Sequence, residues 1–278
     1  MSNEPPDPGA CLQSGHPAWQ PYREILRSLP AGAWRQPDLL NRILPAGVRT
    51  TGELAIRFAD QASLIPLPYE QRIAASGIVS TRACNLHDLC NALVWARLPR
   101  CKAAFNALHV TEPRAGQPGR RGPRRDAVTL IDESGLLLLS DDRRLLGALR
   151  EHDWRQAFQA LRPSWIDRAR MLLCGHAMLE KLLDPFKSMT AKALLIHVPE
   201  AVLRLPWSRI DGIVAEQLLT GAWLRQPRDL SALPVMGIPG WWTKSHQDDG
   251  FYADPDVFRR PGSGWVPAPL LAWPDPHA

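Results

Sequence analysis

The chain has 278 residues, 45% of them hydrophobic and 22% charged, with a formal net charge of +5, the proportions of an ordinary globular protein. No run of about 18 apolar residues occurs, so no transmembrane helix and no membrane partner are expected. Met1 to Gly15 is polar and Pro-rich and lacks the basic and apolar segments of a signal peptide, so a cytoplasmic location is expected, while the 5 cysteines include no C-x-x-C pair and argue against a disulfide framework or a thiolate zinc site.

Residues 1–15 read as a disordered N-terminal tail. From Pro17 to Ala46 the chain reads as short helical pieces with Trp19, Tyr22, Ile25 and Leu26 as the first apolar stripe. Leu54, Ile56 and Phe58 alternate with a period of two, a strand pattern, and Pro68 opens a helix over Tyr69 to Ser76 that Gly77 stops. Asn85 is placed to cap a helix from Leu86 to Leu98, with Asp88 near its positive N-terminal end. Pro99 ends that helix and starts another, Arg100 to Leu108, carrying Lys102 and Asn106. A Gly/Pro-rich loop follows with Arg114, Arg120, Arg121, Arg124 and Arg125. Ala127 to Ile131 and Leu136 to Leu139 read as two strands of a hairpin, with Asp132, Glu133, Ser134 and Gly135 as its turn.

Three helices are expected next: Asp142 to Leu149, Trp154 to Leu161 and Ser164 to Leu183. The last is apolar nearly all round and so buried. A short apolar element at Ala193 to Val198 and a helix near Ser208 to Leu219 precede a region dense in Pro, Gly and Trp. There Leu233 to Trp242 is expected to pack in extended form, anchored by Trp241 or Trp242. The whole reads as one mainly helical α+β domain over 16–260, with a small antiparallel sheet, an extended Pro/Trp-rich C-terminal segment and a Pro-rich tail at 261–278.

Two places carry chemistry. On the 86–98 helix, His87, Asp88, Asn91 and Trp95 gather on one face opposite the apolar one, and Arg82 and Lys102 lie close in sequence. These are groups that need partners when partly buried. On the expected buried helix, His176 and Glu180 are spaced i, i+4 and leave the same face. A hydrogen-bonded core pair, a pair of metal ligands, and a general base with its orienting carboxylate all fit that spacing. If the two helices pack, His87 or Asp88 joins His176 and Glu180. A cysteine nucleophile at Cys84 or Cys174 is weaker, since buried cysteine is usually structural. The adjacent His87-Asp88 invites comparison with metal-dependent phosphohydrolases, but the likeness is weak, since the upstream histidine such an arrangement needs would be His16, at the edge of the expected disordered tail. No G-x-S-x-G elbow, P-loop or G-x-G-x-x-G fingerprint is present.

Thr81-Arg82-x-x-Asn85-x-His87-Asp88-x-x-Asn91-Ala92-x-x-Trp95, Pro99-x-x-Lys102-x-x-x-Asn106, Arg125-Asp126-Ala127-x-Thr129-x-x-Asp132-Glu133-x-Gly135, Gly175-His176-Ala177-x-x-Glu180-Lys181 and Leu233-Pro234-x-x-Gly237-Ile238-Pro239-Gly240-Trp241 together resemble a bacterial family, domain of unknown function 3025. The likeness runs from about Tyr69 to about Arg260. It implies a single bacterial cytoplasmic unit and brings no reaction, cofactor or catalytic residue.

The functional expectation is a metal-dependent hydrolase acting on an anionic substrate. His87, His176 and Glu180 would hold a divalent metal ion, Asp88 would be a ligand or general base, Asn91 would line the site, and Arg82, Lys102 or Arg125 would meet the anion. The rival is a non-catalytic protein whose Arg114–Arg125 loop contacts nucleic acid or an acidic partner.

Overall fold

The computed structural model describes residues 14–111 and 122–275. The N-terminal tail through residue 13 and the loop at 112–121, with Arg114, Arg120 and Arg121, lie outside these. His16 is not in a free tail: it is buried, its Nε2 donates to the carbonyl of Trp241 at 2.8 Å, and its Nδ1 accepts the Ala18 N–H at 3.2 Å. One nitrogen donates and the other accepts, so the ring is held neutral, and burial lowers its pKa.

A 3-10 turn, Pro17–Tyr22, runs into the short helix α1 (Arg23–Arg27). A parallel pair of strands, β1 (Arg57–Asp60) and β2 (Ile78–Thr81), is joined by α2 (Tyr69–Ser76). The strand starts later than the alternation predicts, because Leu54 is solvent-facing whereas Ile56 and Phe58 are buried. Gly77 reverses the chain with φ +69°, and a Cβ there would lie 2.1 Å from the carbonyl oxygen of Ala55, so only glycine fits.

Then come α3 (Leu86–Arg97) and α4 (Pro99–Thr111), with Asn85 Oδ1 capping α3 by accepting the Asp88 N–H at 3.0 Å. Asp211, from the later helix α9 (Trp207–Leu219), accepts the N–H groups of Arg100 and Cys101 at 2.9 and 2.8 Å and so closes the start of α4. Next is α5 (Pro123–Ser134), followed directly by β3 (Gly135–Ser140).

This overturns the expected hairpin. Pro123 sits at the first helical position, and Ala127, Val128 and Ile131 are all buried on one helical face. What reads as a tight turn, Asp132 to Gly135, is the last helical turn and the first residue of a strand.

The second sheet is mixed, not antiparallel. β4 (Ala169–Leu173) runs antiparallel to β3, β5 (Thr190–His197) runs parallel to β3 on its other side, and β6 (Ser231–Pro234) and β7 (Leu271–Ala272) pair with opposite ends of β5. All six residues of β3 are buried, which is why its sequence is a continuous leucine run with no alternation. Helices α6 (Arg143–Arg150) and α7 (Arg162–Asp167) link β3 to β4.

The expected long helix over 164–183 is thus three elements: α7, β4 and α8 (His176–Lys181). Its unbroken apolar run does not distinguish a buried strand from a buried helix. The C-terminal third contributes β6, α10 (Asp249–Tyr252) and β7, so residues 261–275, expected as a tail, include a strand of the central sheet.

Candidate metal centre

Four helices converge at one end of the mixed sheet: α3 packs on α8, and α5 packs on both α4 and α8. Two glycines set this junction. A Cβ on Gly175 would lie 2.3 Å from the backbone nitrogen of Gly135 and 2.5 Å from Cα of Ser134, and a Cβ on Gly135 would lie 2.1 Å from the Ile131 carbonyl. The Gly135 carbonyl accepts both Cys174 and Gly175 N–H groups, at 2.9 and 3.0 Å. The end of α5 is therefore pressed onto the start of α8, and Asp132 and Glu133 come to face His176.

The two histidine faces meet. The rings of His87 and His176 are 4.4 Å apart, and their Nε2 atoms are 3.0 Å apart. Behind them stand carboxylates: Glu180 Oε2 is 3.0 Å from Nδ1 of His87, and Asp132 Oδ1 is 3.7 Å from Nδ1 of His176. Glu133 Oε2 reaches to 3.7 Å from Nε2 of His176. One nitrogen of each imidazole and one oxygen of Glu133 all lie within 4.8 Å of one another. His176 is buried, with 8% of its side chain exposed, whereas Glu133 is 44% exposed, so the cluster opens to solvent on the Glu133 side.

Asp132 anchors the inner wall. Its Oδ1 accepts a hydrogen bond from Lys102 Nζ at 2.5 Å, and both side chains are almost wholly buried. Burial alone raises a carboxyl pKa, but the Lys102 ammonium and His176 outweigh it and hold Asp132 well below the usual carboxylate range. Lys102 also lies over the ring of Trp95, 5.8 Å from its centroid.

The other residues singled out in the sequence are placed differently. Glu180 stands behind His87 and outside the three-residue cluster. Asp88 accepts from Arg82 through the backbone N–H (2.6 Å), Nε (3.0 Å) and Nη2 (2.8 Å), so it clamps Arg82 where a ligand or base was expected. Asn91 donates to the Tyr69 hydroxyl at 2.7 Å. Asn106 donates to the carbonyl and carboxylate of Glu70. Arg125 lies in the first turn of α5, near His109. There His109 has its pKa lowered, chiefly by burial; Glu70 and Asp132 oppose this, while Arg125 and Lys102 add to it. Arg124 donates to the Leu218 and Leu219 carbonyls, at 2.7 and 3.0 Å, closing the end of α9.

Cys174 is buried, and desolvation first, then the nearby Asp132 charge, pushes its thiol up to about 12, which removes it as a nucleophile. Cys84 is exposed, with φ +52°.

Sequence reasoning missed Asp132 and Glu133. The missing signal was positional: once 123–134 is a helix, Asp132 follows Val128 by four residues and lands on the buried face, where a carboxylate demands a cation.

An α+β fold with a histidine and carboxylate cluster between its helices and its mixed sheet defines the class. The chain belongs to the family described as protein of unknown function (DUF3025), whose model matches residues 56–261. No curated protein and no solved structure matches it. The family segment contains every residue of the cluster and both glycines of the junction.

Proposed function

We propose that the protein is a metal-dependent enzyme, a hydrolase, whose divalent ion is held by His87, His176 and Glu133. One observation carries this reading: the two Nε2 atoms face each other at 3.0 Å while each Nδ1 faces a carboxylate. Glu180, at hydrogen-bond distance, draws the His87 proton to Nδ1, and the Asp132 charge 3.7 Å from Nδ1 of His176 favours a proton on that nitrogen too, which turns both Nε2 lone pairs toward one point. Lone pairs opposed at that distance repel unless a cation lies between them. The alternative tautomer, with His176 donating from Nε2, turns the Nδ1 lone pair toward the buried Asp132 carboxylate. His176 Nδ1 is buried and 3.7 Å from Asp132 with no hydrogen-bond partner, so the carboxylate acts on that ring through its charge.

Imidazole and carboxylate donors suit zinc, iron or manganese. Two nitrogens on a shared tetrahedral ion lie roughly 3.3 Å apart at bond lengths of about 2.0–2.1 Å, so the rings need to move by only a few tenths of an ångström. Three protein ligands with an exposed side match catalytic sites, which keep a position open for water or substrate. An ion bound there supplies Lewis acidity and an activated water. Glu180 fixes the His87 tautomer by a hydrogen bond, Asp132 biases that of His176 by its charge, Lys102 fixes Asp132, and Glu133 completes the set. A substrate anion would be met by the ion rather than by Lys102 or Arg82, whose charges are matched by Asp132 and Asp88.

The test is elemental analysis of protein purified without an affinity tag, followed by titration of the metal-free form with zinc and manganese. About one ion per chain is expected, falling sharply in His87→Ala and Glu133→Gln. A wild type that carries no metal, and whose unfolding is indifferent to added ions and to chelator, overturns the reading.

A further inference from the structure

At the opposite end of α3 from His87, two arginines share a cavity. Arg97 is the last residue of the helix and Arg170 lies on β4. Both line a cavity of about 440 Å³, together with Pro21, Glu24, Met171 and Trp241. Arg170 is fixed: its Nη1 donates to the carbonyls of Leu203 and Leu205, and its guanidinium lies on the face of Trp207, 4.3 Å from the ring centroid. Arg97 makes no hydrogen bond or ion pair among the described residues, and its Nε is sealed from solvent. Glu24 lines the same cavity without pairing to either.

The two cations repel. The Arg170 pKa is lowered, through burial first and then through the charge of Arg97. Partly desolvated like charges are unfavourable where the one carboxylate lining the cavity, Glu24, is exposed and pairs with neither, and a guanidinium fork left with open donors matches a carboxylate or phosphate bidentately. The cavity is far larger than one such group, and Pro21, Met171 and Trp241 give it an apolar wall.

We propose that this cavity binds an organic anion, its carboxylate or phosphate head held between Arg97 and Arg170 and its compact apolar body against Trp241, Met171 and Pro21. The ten residues from His87 to Arg97 place the head about 15 Å from the histidine cluster at 1.5 Å per residue. The site is thus separate from the metal centre and stands whether or not that centre holds an ion.

The experiment measures thermal unfolding and calorimetric binding of phenyl phosphate, benzoate and inorganic phosphate at matched ionic strength, on the wild type, Arg97→Gln and His87→Ala. Phenyl phosphate or benzoate should raise the wild-type midpoint, and whichever binds better identifies the head group. Arg97→Gln should bind at least tenfold more weakly and, without ligand, unfold no earlier than wild type, because it loses a repulsion and no bond. His87→Ala should bind like wild type. The proposal is overturned if no probe binds, if Arg97→Gln binds as well as wild type, or if the ligand-free variant is markedly less stable. Inorganic phosphate binding as tightly as phenyl phosphate overturns the role given to the apolar wall.

Discussion

Two acid–base pairs flank the histidine cluster, and they do different work. Arg82 and Asp88 make three short contacts, yet half of the arginine is in water. Lys102 and Asp132 make one, with both partners almost wholly buried. The contact count favours the first pair and the energetics favour the second. An exposed pair gains little over hydration, whereas breaking a buried one strands a charge in a medium that cannot solvate it. The buried pair therefore determines where Asp132, and through it the His176 ring, must sit.

The largest expected effect tests that difference directly. Asp132→Ala leaves Lys102 buried and unpaired and should cost about 3–5 kcal/mol in urea unfolding. The double replacement Lys102→Met with Asp132→Leu should recover most of that loss while displacing the His176 ring. If Asp132→Ala costs under about 1 kcal/mol, the two pairs are equivalent and the comparison fails.

Acid should sharpen it. Because the folded Asp132 carboxyl has a lower pKa than in the unfolded chain, its contribution is complete above the unfolded value of about 3.9 and is lost as pH falls toward the folded value. Wild-type stability should drop steeply below about pH 4. The Lys102→Met, Asp132→Leu double variant should show a visibly shallower slope in the same titration.

Glu180→Gln comes next. It keeps the shape and a hydrogen bond to His87, so stability should change by no more than about 1–2 kcal/mol. Zinc or manganese affinity should fall roughly 10–100-fold, the usual effect of losing the carboxylate behind a ligating histidine. Unchanged affinity in a calorimetric titration would leave Glu180 a spectator.

The smallest effect belongs to the exposed pair. Arg82→Ala should cost about 1 kcal/mol or less, with metal affinity held, as read by the same unfolding and titration measurements. A loss as large as that of Asp132→Ala would reverse the ranking.

Much of the α3 side was legible in the sequence. Asn85 as a cap, Pro99 as a boundary and the polar face from His87 to Trp95 are local signals, and the helix forms over Leu86–Arg97 as those signals require. The sheet side was not legible. Leu136 to Leu139, Leu172 and Leu173 are all buried, so their strands show no alternation, and such burial erases the period that separates strand from helix. That erasure merged β4 into a helix and split α5 into half a hairpin, which hid Asp132 and Glu133 inside a turn. His87 and His176 were visible as ligand types, but the third member was not, since it depends on a glycine contact between residues 40 positions apart, Gly135 and Gly175.

That contact has a mechanical consequence. His176, Asp132 and Glu133 are all hung from the ends of β3 and β4, two hydrogen-bonded strands clamped backbone to backbone, so they move as one body. His87 rides on a separate helix and is tied to them only through side chains. The gap between His87 and His176 therefore has a fixed jaw and a single movable one. Any breathing that admits or releases a ligand is a displacement of α3 against α8, and Gly175→Ala would prise open the fixed jaw itself.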